Sequence, residues 1–269
     1  MRGSNFLETL RREWRSVLLW SLGFFGYGML TVGILPDAEG MQQMSEALGA
    51  VPNFVWQMIG IQDVSVLATV SGFISFRFFL TASVLLAVWA VISGMNVTLN
   101  EEVNGISNMV FSLPASRTRV IVEKLAAYVP MAVIIPVSGL LGLVIGMALN
   151  TQATTDVTPL VLSTFAMVPV AVLIVCFTAF VASVMPRKAW VAAISGGFVA
   201  VSFFLNSIGG MLRSDLGTAM QQFSVFHHSD ASRVLLNGFP LIAATVTLIV
   251  AVALVAASTR VFTRRDLAG

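Results

Sequence analysis

The sequence predicts an all-α membrane protein with six transmembrane helices, and two observations carry that prediction. Hydrophobic residues make up 57% of the 269 residues and charged residues only 10%, whereas soluble domains carry about 25% charged residues to keep their surface hydrated. Six apolar stretches also reach the length of about 20 residues that a helix needs to cross a hydrocarbon core of about 30 Å. The composition therefore excludes a soluble enzyme, a disordered chain and a collagen-like fibre. The net charge of +2 is too small to indicate nucleic-acid binding.

The six predicted spans form a single transmembrane domain that covers residues 1–269. Residues 16–98 hold the first two spans, residues 99–120 form a loop, and residues 121–269 hold the other four spans and a tail. The span boundaries read from the apolar runs are 16–35, 77–98, 125–149, 159–184, 189–208 and 240–258. A cleavable signal peptide has an apolar core of about 7–15 residues. The first span is longer and follows a charged segment, so we do not expect it to be a cleavable signal.

The basic residues predict the orientation of this domain. Twelve of the 15 lysines and arginines fall on one side of the predicted spans. They are Arg2, Arg11, Arg12, Arg15, Arg117, Arg119, Lys124, Arg187, Lys188, Arg260, Arg264 and Arg265. Because lysine and arginine are retained on the cytoplasmic side during insertion, we expect a multi-pass protein of the cytoplasmic (inner) membrane with both termini in the cytoplasm.

Two long segments, 36–75 and 209–239, fall on the opposite side. Both contain apolar residues at helical spacing, which are Met41, Met44 and Leu48 in the first and Leu212, Leu216 and Met220 in the second. Because long connections without secondary structure are uncommon, we expect short helices at the outer membrane surface. Arg77 is expected to be the first residue of the second span, with its guanidinium group reaching water.

Residues 1–15 are predicted to form an interfacial helix. Apolar residues lie on one face and charged residues on the other, with Phe6, Leu7, Leu10 and Trp14 opposite Glu8, Arg11, Arg12 and Arg15. This pattern is typical of a helix that lies in the membrane interface, where Arg11, Arg12 and Arg15 reach lipid phosphates. The segment either only fixes the topology or acts as a lever beside a cytoplasmic partner.

The loop between the second and third spans is predicted to contain a short amphipathic helix. Glu101 and Glu102 would occupy its first turn, where the helix dipole favours acidic residues, and Pro114 would end it. Its apolar face is formed by Val103, Ile106, Met109, Val110 and Leu113. That face needs a partner, which is either another part of this chain or a second protein. Arg117 and Arg119 follow at the membrane surface.

In these motifs the chain resembles the type-2 ABC transporter permeases, the membrane subunits of ATP-driven exporters. The resemblance rests on the order of six features around the loop, which are Glu101, Gly105, Ser112–Leu113–Pro114, Ser116, Arg117 and Lys124. It extends to Phe262 with the run Arg264–Arg265–Asp266–Leu267 and to the six-span topology, so it covers nearly the whole chain. Ile106 and Phe111 depart from the family pattern, in which threonine and leucine are common.

The resemblance implies a coupling helix at residues 101–113 that docks on a separate ATPase subunit, and a connecting helix at residues 1–15. The implied contact residues are Glu101, Glu102, Gly105, Ile106, Met109 and Leu113. Two ABC ATPase subunits and a second permease, identical or homologous, are the implied partners. ATP and Mg²⁺ are expected in the ATPase and no cofactor in this chain, which also lacks the G-x-x-x-x-G-K-[ST] phosphate loop.

A translocation path for a hydrophobic or amphipathic substrate is expected between two permeases, lined by the first, second and fifth spans. The candidate lining residues are Phe24, Tyr27, Phe198, Phe203 and Asn206. Small residues in the third and fifth spans are expected at helix contacts. They are Ser138, Gly142 and Gly146, and Ala192, Gly196 and Ala200.

The two histidines and the single cysteine are not expected to form a functional site. Adjacent histidines on a helix point about 100° apart, so His227 and His228 are not expected to form a metal site. Cys176 lies in an apolar run and is expected to be a packed side chain. The alternative functions are an ATPase-independent six-span carrier or channel and a membrane-anchoring or immunity protein.

Overall fold

The computed structural model describes residues 4–50, 52, 69–103, 117–150, 155–185, 187–212, 214–229, 231, 234 and 238–264. Within these residues the chain is 90% helical and has no strand. Six of the helices are long and apolar enough to cross a membrane. The predicted all-α class and the predicted number of spans are therefore confirmed.

The helices follow one another along the chain with short connections. Their bounds are α1 Ser4–Gly33, α2 Ala38–Gly49, α3 Val70–Ile74, a π-helical turn Ser75–Phe79, α4 Leu80–Val103, α5 Arg117–Leu149, α6 Val157–Val184, α7 Lys188–Met211, α8 Asp215–Phe223, a 3₁₀ turn His227–Ser229 and α9 Leu241–Arg264. The first to sixth spans lie in α1, α3–α4, α5, α6, α7 and α9. The short helices α2 and α8 confirm the expected helical character of the described parts of the two outer segments.

The first span differs from the expectation because α1 is one continuous helix. A separate interfacial helix was predicted over residues 1–15, but Ser4–Gly33 runs without a break for 30 residues. At 1.5 Å per residue it is about 45 Å long, which exceeds a hydrocarbon core of about 30 Å. No glycine or proline occurs between Ser4 and Leu22 to separate two helices. The amphipathic segment therefore shares an axis with the first span.

The second span begins earlier than predicted. Thr69 caps α3 by accepting a hydrogen bond from the Gly72 backbone N–H at 3.0 Å, and the helix then continues through the π-helical turn into α4. Arg77 was expected to open this span, but it lies inside the π-helical turn with its side chain exposed. The Tyr27 hydroxyl donates to the Arg77 backbone carbonyl, so this irregular turn is tied to the first span.

The first and third spans pack side by side in the same direction along their whole length. Three hydrogen bonds join residues separated by nearly constant sequence distances: Asn5 to Glu123 (118 residues), Ser138 to Ser21 (117) and Asn150 to Val32 (118). A constant offset between two helices means that they run parallel without changing register. These two spans therefore form one elongated pair.

The second and fourth spans form a similar pair. The hydroxyls of Ser71 and Thr155 are 2.6 Å apart near one end, and Gly94 lies against Thr178 near the other. Both contacts have an offset of 84 residues. At the first of these ends Asp156 caps α6 by accepting from the Thr158 backbone N–H at 2.9 Å, and this bond lowers the pKa of the Asp156 carboxyl.

Small residues produce the closest helix contacts within these pairs. A methyl group on Gly142 would overlap the Phe25 carbonyl oxygen and lie 2.9 Å from its carbonyl carbon, and one on Gly28 would lie 2.9 Å from the Leu143 nitrogen. The expected helix contact of the third span is therefore confirmed at Gly142. In the fifth span, by contrast, a methyl group on Gly196 would meet nothing within 4 Å.

The fourth span is the centre of the fold. In its most apolar stretch 72% of the residues are buried, against 22% in the first, fifth and sixth spans. Trp89, Phe78 and Phe79 of the second span are among the largest side chains that are fully buried. Cys176 is 5% exposed, as expected for a packed side chain. The second, third, fifth and sixth spans pack against α6, whereas the first span packs on the third. The first, fifth and sixth spans leave much of their own apolar surface to the bilayer.

Replacing Gly142 with alanine should loosen the first and third spans, because the added methyl group overlaps backbone rather than a flexible side chain. Overpacking of this kind costs about 1–3 kcal/mol. We expect a lower unfolding midpoint for Gly142→Ala in a detergent denaturation series. Gly23→Ala on the first span is the matched control, because its methyl group meets nothing within 4 Å. Equal midpoints for the two variants would contradict the close packing at Gly142.

Candidate functional site

The loop between the second and third spans is the first candidate site, and the structure describes the residues on both sides of it. Residues 104–116 lie outside the described residues, and with them the predicted contact residues Gly105, Ile106, Met109 and Leu113. Glu101 and Glu102 belong to the last turn of α4 and not to the first turn of a following helix. The second span extends this far because no helix-breaking residue occurs between Gly94 and Gly105. The contact of Glu101 and Glu102 with an ATPase stays a prediction.

The two helices that bracket this loop are joined to each other near their ends. Lys124 Nζ, on the second turn of α5, donates to the Val97 carbonyl oxygen of α4 at 3.4 Å. Val97 precedes the end of α4 by six residues and Lys124 follows the start of α5 by seven. The loop therefore starts and finishes on helices that are already in contact.

A polar cluster fastens the beginning of α1 to the beginning of α5. Glu123 accepts a hydrogen bond from Asn5 Nδ2 at 3.2 Å and forms an ion pair with Arg119 Nε at 2.7 Å. About two helical turns further along α1, and five residues further along α5, Glu13 forms a side-chain hydrogen bond with Tyr128. We call Asn5, Glu13, Arg119, Glu123 and Tyr128 the polar clasp. It connects the amino-terminal extension of the first span to the helix that leaves the loop.

The predicted membrane-surface arginines have different positions. Arg119 belongs to the polar clasp, whereas the side chain of Arg117, the first residue of α5, is outside the described set. The side chains of Arg11, Arg12 and Arg15 are exposed on α1, and the Arg15 guanidinium lies 5.7 Å from the Trp14 ring centroid. The i,i+4 spacing of Arg119 and Glu123 is visible in the sequence, but the contact of Glu123 with Asn5 is not.

Two of the five candidate path residues lie in one group on the first span. Phe24 is 2% exposed. The Tyr27 ring stacks on Phe78 at 5.5 Å between centroids. In this conformation Phe24 therefore packs the bundle and does not line an open surface.

The other three candidate path residues form a second group on the fifth span. Phe198 packs against Phe177 of the fourth span at 4.3 Å, and Phe203 meets Phe226 edge to face at 6.1 Å. Asn206 Oδ1 is a buried atom with no hydrogen-bond partner among the residues that the structure describes. The described contacts therefore divide the five residues between two places in the protomer and do not bring them to one channel. A role for them in a substrate path stays a prediction.

The fifth span also has an uncovered face made of small residues. A methyl group on Gly196 or Gly197 would meet nothing within 4 Å, and the neighbouring Ala193 and Ala200 are exposed. In lipid such faces allow two helices to approach closely. Among the residues that the structure describes, no helix packs closely against Gly196 and Gly197.

At the far end of the fifth span, the outer segment folds back onto it. Ser224 Oγ donates to the Ser202 carbonyl oxygen at 2.6 Å, and His228 Nε2 lies 2.8 Å from the Gln222 carbonyl oxygen. The His227 and His228 rings are 5.7 Å apart with their planes at 73°. Within the described part of the chain no group of three His, Cys, Asp or Glu side chains is arranged to hold a metal ion.

Removing the Glu123 carboxylate should release the start of α1, because hydrogen bonds to charged groups contribute about 1.5–3 kcal/mol. We expect Glu123→Ala to increase amide exchange of residues 4–10 by tenfold or more, since about 1.4 kcal/mol corresponds to one factor of ten. The control is Glu8→Ala, which removes an exposed carboxylate from α1 itself. Unchanged exchange in Glu123→Ala would show that the polar clasp does not hold α1.

Comparison with known proteins gives one family. A family model described as "Multidrug efflux system permease Rv1217c, C-terminal domain" matches residues 8–263. No curated protein matches the chain. The match begins in the amino-terminal turns of α1 and ends in the last turn of α9, so it includes the loop, all of the polar clasp except Asn5, and all six spans except the first residues of the first span. The chain therefore belongs to the family of this multidrug efflux permease domain.

Proposed function

We propose that the chain is the membrane-spanning subunit of a type-2 ABC exporter, which a separate ATPase drives through residues 101–113. The observation that carries the proposal is the match to an efflux permease family over residues 8–263. The proposal adds to this the energy source and the place where it acts. Both rest on the resemblance of the loop to the coupling helices of type-2 permeases.

The contacts around the loop support a mechanical role for it. A push on residues 104–116 reaches α5 directly, and the polar clasp passes it to α1 through Glu123 and Asn5. The register of α1 against α5 stays at 117–118 residues from Asn5 to Val32. A force applied at one end of this pair should therefore move both helices together. Sliding one helix past the other would break the hydrogen bonds and make the backbones overlap at the glycine contacts.

ATP hydrolysis is assigned to a partner because the chain itself has no G-x-x-x-x-G-K-[ST] sequence. That loop is the part of an ABC ATPase that holds the phosphates with backbone N–H groups and a lysine. ATP and Mg²⁺ would therefore bind in two ATPase subunits on the cytoplasmic side. The twelve basic residues on one side of the spans support a cytoplasmic position of the loop and of both termini.

A second permease, identical or homologous, would complete the translocation path. The uncovered face around Gly196 and Gly197 is where a helix of a second subunit can approach the fifth span closely. The path would then run between the protomers. Its lining would be apolar, in keeping with the composition of the spans, and the expected substrates are hydrophobic or amphipathic molecules.

The coupling assignment is tested by adding bulk at Gly105 in the complex with its ATPase. Gly105→Trp should abolish ATP-dependent extrusion of a fluorescent lipophilic cation from proteoliposomes, because the loop would no longer fit its groove on the ATPase. The matched control is Gly49→Trp at the end of α2, where a side chain has open space. Protein insertion and basal ATP hydrolysis should be retained in both variants.

Two outcomes of this experiment would contradict the proposal. Normal extrusion by Gly105→Trp would remove the loop as the coupling element. Extrusion by the permease in liposomes that contain no ATPase would favour the alternative, an ATPase-independent carrier or channel. In that case a gradient of protons or sodium ions should be needed in place of ATP.

A further inference from the structure

A long apolar groove runs between the third, fourth and sixth spans, and none of the fifth-span residues that the structure describes lines it. Its volume is about 590 Å³. Val122 and Val129 of α5, Phe165 and Cys176 of α6, and Val255 of α9 mark its extent. All three helices are long and apolar enough to cross a membrane, so the groove lies at the level of the hydrocarbon core.

The length of the groove fits a lipid chain. Phe165 and Cys176 are eleven residues apart on α6, which corresponds to about 16 Å along the helix axis. Half of the hydrocarbon core measures about 15 Å, so the groove matches the length of an acyl chain in one leaflet. Along α6 it is centred on the middle of the helix, and Val122 extends it toward the start of α5. Helices and lipid chains both run across the membrane, so a groove that follows α6 has the direction of an acyl chain.

The chemistry of the lining disfavours ligands that polar groups would have to orient. Among the described residues that line it, the polar groups are the Tyr128 hydroxyl and the Cys176 thiol. Tyr128 is 3% exposed and its hydroxyl is bonded to Glu13. Sites for drug-like molecules normally contain a few polar groups that fix the orientation of the ligand. Cys176 is likewise only 5% exposed, so the described lining presents little polar surface and selects for apolar length and not for functional groups.

The lining also disfavours a helix from a second subunit. Helix contacts in membranes are rich in glycine, alanine, serine and threonine, as at Gly28 and Gly142 between the first and third spans. Among the described residues, the groove is lined by two alanines and by no glycine, serine or threonine, and five valines lie on α5 and α6 alone. The small-residue face of the fifth span is the place that suits a protein partner.

A basic residue lies one helical turn before the α5 residues that line the groove. Arg119 precedes Val122 by one helical turn on α5, and its side chain is 44% exposed. A guanidinium has five N–H donors, and the ion pair with Glu123 uses Nε. Among the contacts of the described residues, none uses the Arg119 Nη groups, which can therefore bind a phosphate at the membrane surface while a chain attached to it follows the groove.

We propose that this groove holds one acyl chain of a membrane phospholipid, with the phosphate of the same lipid at Arg119. The bound lipid would occupy the space between the third, fourth and sixth spans as a constituent of the folded protein. It is separate from the transported substrate. This inference does not depend on the coupling of the loop to an ATPase.

The test is the number of phospholipids retained by the purified full-length protein after mild delipidation and addition of dioleoyl phosphatidylglycerol. Native mass spectrometry should find one more retained lipid per protomer in the wild type than in Ala126→Phe, whose ring fills the groove from an exposed position. The control is Ala253→Phe, which adds the same ring at an exposed position of α9 outside the groove. It should retain as many lipids as the wild type.

A cysteine at the exposed groove position 126 gives a second readout once the buried Cys176 is replaced by alanine. Added phosphatidylglycerol should slow the reaction of N-ethylmaleimide with the double variant Ala126→Cys/Cys176→Ala at least fivefold. Equal lipid counts in wild type and Ala126→Phe, or a reaction rate that lipid does not change, would overturn the proposal. So would loss of self-association in Ala126→Phe with an unchanged lipid count, which would identify the groove as a protein interface.

Discussion

The close approach of the first and third spans is the constraint on which the rest of the structure depends. Gly142 brings α5 against the Phe25 backbone, and Gly28 brings α1 against the backbone near Leu143. Any side chain larger than hydrogen at these places would separate the helices. Because the contact is made by backbone, it fixes the register of the pair from Asn5 to Val32. The polar clasp then connects the end of that pair to the loop that we propose as the coupling element.

In this arrangement the different faces of the bundle suit different partners. The fourth span is enclosed and holds the two pairs together, while the fifth span leaves a small-residue face that suits a second permease. The third, fourth and sixth spans leave a groove of a different character, lined by valine, leucine and phenylalanine. The difference in side-chain size between the two surfaces distinguishes a site for protein from a site for lipid.

The sequence predicted what depends on length, composition and local spacing. Six apolar runs were enough to count the spans, and the spacing of Gly142 and Gly146 was enough to predict a helix contact. The sequence failed where the outcome depends on distant partners. The continuity of α1 is supported by the contact of Asn5 with Glu123, 118 residues away. The early start of the second span is supported by Ser71 and Thr155, which are 84 residues apart. Neither pair has a local signature, and the groove exists only because three separate helices diverge around it.

The central claim is that the first and third spans move as one body when the loop is pushed. Spin labels at Leu7 and Ile134, both exposed, would report on this pair in the reconstituted complex after Cys176→Ala. Double electron–electron resonance should give the same distance distribution with and without ATP and vanadate, while a label pair on Leu7 and the exposed Trp190 of the fifth span should shift. A change in the Leu7–Ile134 distance as large as that in the Leu7–Trp190 distance would contradict the account.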